Sequence, residues 1–184
     1  WDGVVTDFGN LEIGGRNLLK GSDTEKTSTS EYLMYTNIAP IFDEHGIGVY
    51  TFSFDLKTAV AGTVQAYCAD RQNTDIKFLY TTETFATTTE FQRFHMTVNV
   101  TLNNANASHT SLSFYGIYNT GAIPTVKNVK IERGNKATDW TPAPEDQVSD
   151  WLTTDVNSFS FIKNKPTSLS DFADNIGIGA HIAN

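Results

Sequence analysis

The feature that most constrains this chain is a two-residue alternation of apolar and polar side chains, repeated on separate segments between Tyr50 and Arg133. Successive side chains of an extended strand point to opposite faces, so this alternation marks strands with one buried face. In VYTFSFDL, Tyr50, Phe52, Phe54 and Leu56 lie opposite Thr51, Ser53 and Asp55. In TVQAYCA, Val64, Ala66 and Cys68 oppose Gln65 and Tyr67. From Phe91 to Leu102, one face carries Phe94, Met96, Val98, Val100 and Leu102, the other Arg93, His95, Thr97 and Asn99. Leu112, Phe114, Gly116 and Tyr118 then alternate with Ser113, Tyr115 and Ile117, and Val129 and Ile131 with Lys130 and Glu132. Shorter strands are expected at Tyr32 to Tyr35 and at Ile76 to Tyr80.

No helical pattern is long enough to act as a crossover, so these strands must pair antiparallel. Their Phe-rich faces then require two stacked sheets. The expected fold is all-β, an antiparallel β-sandwich of jelly-roll type with extended polar flanking segments. An immunoglobulin-like sandwich is the alternative, but its Cys-Trp-Cys pattern is absent. Residues 1–16, with Gly14-Gly15, read as a linker or attachment segment, residues 17–146 as the sandwich, and residues 147–184 as a polar attachment segment. Phe52, Phe54, Phe94, Val98, Phe114 and Ile131 are the expected core. Val148, Trp151, Leu152 and Val156 have helical spacing and predict a short helix from Glu145 to Val156.

Charge and motifs narrow the function by exclusion. The chain has 13 basic and 21 acidic residues, a net charge of −8, which disfavours nucleic acid as a partner. No apolar stretch of about 18 residues exists, so no membrane span is expected. Its one cysteine, Cys68, sits on an apolar strand face and can form neither an intrachain disulfide nor a cysteine zinc site. The start at Trp1, with neither methionine nor a leader pattern, suggests a fragment or a processed product. His45, His95, His109 and His181 lack metal-ligand spacing, and no EF-hand pattern occurs, so neither metal nor cofactor is expected. There is no G-x-S-x-G elbow, and Asp55, Asp70 and Glu132 read as ordinary carboxylates rather than a glycosidase pair. A non-enzyme is the expectation.

Two strings are more specific: GGRNLLKGS, from Gly14 to Ser22, and VKNVKIERGNKATDWTPAPED, from Val126 to Asp146. Together they resemble the opening and closing strings of carbohydrate-binding-module-like domains in tail and baseplate proteins of phages that infect Gram-positive bacteria. FSFIKNKPTSLSDFADN, from Phe159 to Asn175, is similar to linker segments of lactococcal phage baseplate and tail proteins. The resemblance implies a virion location at the tail tip or baseplate. It also implies host cell-wall polysaccharide and other baseplate or tail proteins as partners. A structural adaptor that docks neighbouring subunits without binding saccharide is the alternative, and a glycan-degrading tail enzyme is a third.

The strings themselves read as structural. Val129 and Ile131 can pair with Leu18-Leu19, Gly134 permits a positive-φ turn, and Trp140 can plug one end of the sandwich. A saccharide site needs aromatic faces for the apolar side of a sugar ring and fixed polar groups for its hydroxyls. Among outward-facing residues, Gln65, Tyr67, Arg93, His95 and Tyr115 supply these, and they form one site if their strands are neighbours. Arg93 can also pair with an anionic substituent.

Overall fold

The structure is a computed structural model and describes residues 14–36, 38–70, 77–100, 110–147, 149–156, 161–163 and 165. Among these, eight strands divide between two layers: β1 (Lys26–Thr27), β2 (Tyr32–Thr36), β3 (Gly48–Thr58), β4 (Gly62–Asp70), β5 (Lys77–Thr87), β6 (Gln92–Val100), β7 (Ser111–Tyr115) and β8 (Pro124–Arg133). One antiparallel sheet has the order β1-β8-β3-β6 and the other β2-β7-β4-β5. This is the strand order of a jelly roll. The expected fold class is the one observed, and strand-to-strand connections repeatedly cross from one sheet to the other.

Between the sheets lie the side chains selected by alternation. Phe52, Phe54, Val98, Phe114 and Ile131 are completely buried, as are Tyr50, Leu56, Val64 and Val129. Phe54 packs edge-on against Phe114, ring centroids 4.7 Å apart. Full burial of one such side chain is worth roughly 1.5–3 kcal/mol. Phe94 departs from the expectation. It is only half-buried near the start of β6, and it leans on Phe85 at 4.8 Å. Leu102 and Ile76 lie outside the described residues.

Register is corrected once within the sheet. Asn128 has φ +51° where the β3–β8 pairing shifts between Ser53 and Asp55. The extra residue of this bulge lets both Val126 and Val129 reach the core. Asparagine is among the few residues that tolerate that conformation.

Two local expectations fail. A helix not foreseen, α1 (Ala39–His45), buries Ile41 and Phe42, and Phe42 packs on Tyr50 at 5.0 Å. Its cues are terminal rather than periodic: Pro40 in the first turn, and Gly46 at φ +81° returning its N–H to the Phe42 carbonyl. Among the described residues of 145–156 the predicted helix does not form. A 3₁₀ turn covers Pro144–Asp146, and farther on the Asp150 carboxylate accepts the Leu152 N–H (2.9 Å) and the Thr153 hydroxyl (2.9 Å). Such a side chain competes with helical hydrogen bonding. The same two bonds, the Leu152 one first, hold the Asp150 carboxyl below its usual range.

The chain divides into two compact units, residues 1–145 and 146–184. In the second, Asp150 bridges to Phe161, and Lys165 donates to the carbonyls of Trp151 (2.7 Å) and Thr153 (2.9 Å). Val148, residues 1–13 and residues 166–184 lie outside the described residues. Residues 14–16, read from sequence as the end of a linker, are instead stitched to the sandwich. A side chain at Gly14 would meet the Arg133 carbonyl oxygen at 2.0 Å, Gly15 donates to Glu132 (2.8 Å), and Arg16 pairs with Glu145.

Candidate functional site

The five residues chosen from sequence do not converge. Gln65 and Tyr67 lie on β4 and Tyr115 on β7, adjacent strands of one sheet with Gln65 opposite Tyr115. Arg93 and His95 lie on β6 in the other sheet, paired with Asp55 and Ser53 of β3. The connection after β5 carries the chain across the sandwich, so the outward side of β6 is the opposite face of the molecule. Alternation tells in from out. It does not tell which sheet a strand joins.

The β2-β7-β4-β5 sheet nevertheless builds a coherent surface. Register places Tyr32, Tyr115, Gln65 and Thr84 in one row across its four strands. Strand spacing makes this row about 14 Å long. Tyr32 and Tyr115 are half-buried, with ring centroids 6.4 Å apart, and Thr84 is exposed. Tyr67 sits in the next row and differs from its assigned role. It is 6 % exposed, and its hydroxyl donates to that of Tyr32 (2.9 Å), which in turn donates to Ser113 (3.1 Å). Tyr67 therefore fixes Tyr32 rather than offering a face of its own.

Two tyrosines that alternation does not select belong to this surface. Tyr32 is one. Continued alternation puts the other, Tyr118, on the buried face, yet it is 56 % exposed and packs edge-to-face on Tyr115 at 5.1 Å. The strand ends at Tyr115, after which Ile117 (φ +62°), Asn119 (φ +67°) and Gly121 (φ +77°) turn the chain back. The cue was the Asn119-Thr120-Gly121 turn sequence. Thr120 ties the loop to the Gly116 and Ile117 carbonyls, Gly121 donates to Glu31, and Tyr118 donates its N–H to the Tyr115 hydroxyl.

Ile117 is strained, because a β-branched side chain resists positive φ. It is also 47 % exposed, so little packing offsets that strain. Ile117→Asn is expected to stabilise the domain by about 1 kcal/mol, read as a raised midpoint in urea unfolding.

The two specific strings meet on the outer side of the β1-β8-β3-β6 sheet. Lys130 and Glu132 point away from the core yet are 1 % and 0 % exposed, with charged atoms 3.5 Å apart. Thr138 donates its N–H (2.9 Å) and hydroxyl (2.7 Å) to Glu132, and Lys130 donates to the Thr138 hydroxyl (2.6 Å) and the Asp139 carbonyl (2.8 Å). Asn17 donates to Ser22, Val129 and Thr141 and accepts from Leu19 and Ile131. Leu18 joins Ile131 through its N–H, and Gly134 takes φ +97°, as their sequence roles required. These residues close the domain. They do not form the tyrosine surface.

No protein-family model matches the chain, and no curated protein matches its sequence. Solved structures that the chain matches include the tripod (BppUct-A-L) from the baseplate of bacteriophage Tuc2009. That match has 14% identity and a TM-score of 0.43 over 74% of this chain and 61% of that one. A CBM4 structure matches with 15% identity and a TM-score of 0.39, over 65% of this chain and 68% of that one. The module CBM6cm-2 from Cellvibrio mixtus lichenase 5A, in complex with cellotriose, matches at 10% identity and a TM-score of 0.36, over 66% and 95%.

Proposed function

We propose that this domain is a non-catalytic saccharide-binding module that serves phage adhesion, taking host cell-wall polysaccharide on the outer side of the β2-β7-β4-β5 sheet. The observation that carries the reading is the row Tyr32–Tyr115–Gln65–Thr84, extended by Tyr118. Aromatic rings supply contact with the apolar side of sugar rings, and the amide and hydroxyls answer their hydroxyl groups. The phage setting, tail tip or baseplate, and the polymer as partner follow from the resemblance of the Gly14–Ser22 and Val126–Asp146 strings. Several copies on one tail would raise avidity without any new contact.

Binding of the full chain to purified host cell-wall polysaccharide tests this. Tyr115→Ala and Tyr118→Ala are each expected to weaken binding roughly tenfold, the size of one lost aromatic contact. Thr97→Ala, exposed on the other sheet, should bind as the parent does. Equal binding by all three variants would move the site elsewhere. No binding by the parent chain would favour the adaptor role, and release of reducing ends would make it an enzyme.

A further inference from the structure

The opposite face of the sandwich carries a groove of about 400 Å³, floored by Ser53, Arg93 and His95 and walled by residues 135–139. That volume is within the usual range of small-ligand sites. Its wall is fixed, because Thr138 is bonded at once to the buried Glu132 and Lys130. Its floor is fixed too. The Arg93 guanidinium donates to Ser53 Oγ (2.7 Å), the Asn128 carbonyl (2.6 Å) and Asp55 (3.2 Å), while its side chain stays one-third exposed. A guanidinium has five N–H groups, so donors remain beyond these contacts.

The groove lining is richer in cations than the molecule as a whole. In a chain of net charge −8, Arg93 and Lys136 line one groove beside His95, against a single lining carboxylate, Asp139. Asp55 already faces Arg93 and the Asn128 amide (2.7 Å). We infer that this groove is a second binding site, separate from the tyrosine surface, for a sugar bearing an oxyanion, a phosphate or carboxylate. An oriented guanidinium matches two oxygens of such a group, and the exposed Lys136 adds a point charge at the rim.

The test is titration of the isotope-labelled full chain with glucose 6-phosphate, glucuronate and glucose, followed by amide NMR shifts. Glucose 6-phosphate or glucuronate should move the amides of His95 and residues 135–138, and comparison of the two identifies which oxyanion is preferred. Glucose should leave those amides in place. Lys136→Glu, an exposed change, should weaken binding of the charged sugar roughly tenfold, and added salt should weaken it further. Tyr115→Ala should leave this titration unaltered, so the result is independent of whether the tyrosine surface binds saccharide. Unmoved groove amides with both charged sugars, equal shifts with glucose, or parental affinity in Lys136→Glu would each overturn the inference.

Discussion

Replacing Lys130 with methionine is expected to destabilise the domain by about 3–5 kcal/mol, because it leaves a buried carboxylate without its cation. Lys130 and Glu132 are almost wholly enclosed, and their partners are Thr138, the Asp139 carbonyl and the Gly15 N–H. Methionine fills the space of the lysine stem, so lost volume contributes little. The loss is electrostatic. Glu132 keeps its bonds from Gly15 and Thr138, which limits the damage without replacing the charge. Lys130→Met combined with Glu132→Gln should therefore cost less than the sum of the single changes, with a coupling of about 1–3 kcal/mol. Urea unfolding of the four proteins measures this. Strict additivity would show that the pair acts as two separate hydrogen-bonding groups.

Much of the sandwich was legible because burial on one side writes itself into every second residue. Tyr50 to Leu56 and Met96 to Val100 show this without exception: each apolar member is buried. What alternation lacks is any cue to helix ends, turns and half-burial near a strand's end. α1 is a single short element whose cues are Pro40 and Gly46, and the strand at Tyr115 ends through turn residues that alternation reads past. At Trp151 and Leu152 the helical spacing was present, but the Asp150 carboxylate captured the following backbone N–H and outweighed it.

The candidate site was less legible, for a topological reason. Gln65 and Tyr115 are neighbours because β4 pairs with β7, and Arg93 is distant because β6 pairs with β3. These pairings are decided by how the chain crosses between sheets, and nothing in the local sequence of β6 records it. Tyr67 teaches a second limit. Outward on a strand is not the same as exposed, since Tyr67 is buried and donates its hydroxyl proton to the neighbouring Tyr32. Lys130 and Glu132 repeat the point, outward by alternation and buried by the segment that folds back over them.

That segment, and the opening of the chain, depend on one amide. Asn17 is completely buried and donates to Ser22 Oγ (3.0 Å) and to the carbonyls of Val129 (3.3 Å) and Thr141 (2.9 Å). Its oxygen accepts from Leu19 (3.0 Å) and Ile131 (3.2 Å), so it ties the first residues of the sandwich to β8 and to the exit. Asn17→Ala orphans several of these groups and is expected to cost about 2–4 kcal/mol. Asn17→Asp keeps the shape but turns a donor into an anion facing two carbonyls, and should cost at least about 4 kcal/mol at neutral pH. The two variants separate by pH. Burial among carbonyl oxygens raises the pKa of the new carboxyl in the folded state above its unfolded value near 3.9. The folded protein then binds more protons than the unfolded one, so stability of Asn17→Asp falls as pH rises from about 4, relative to the parent. Asn17→Ala introduces no titrating group and should track the parent at a constant offset. Urea midpoints at several pH values decide the matter, and a parallel course for Asn17→Asp would mean that water reaches this position.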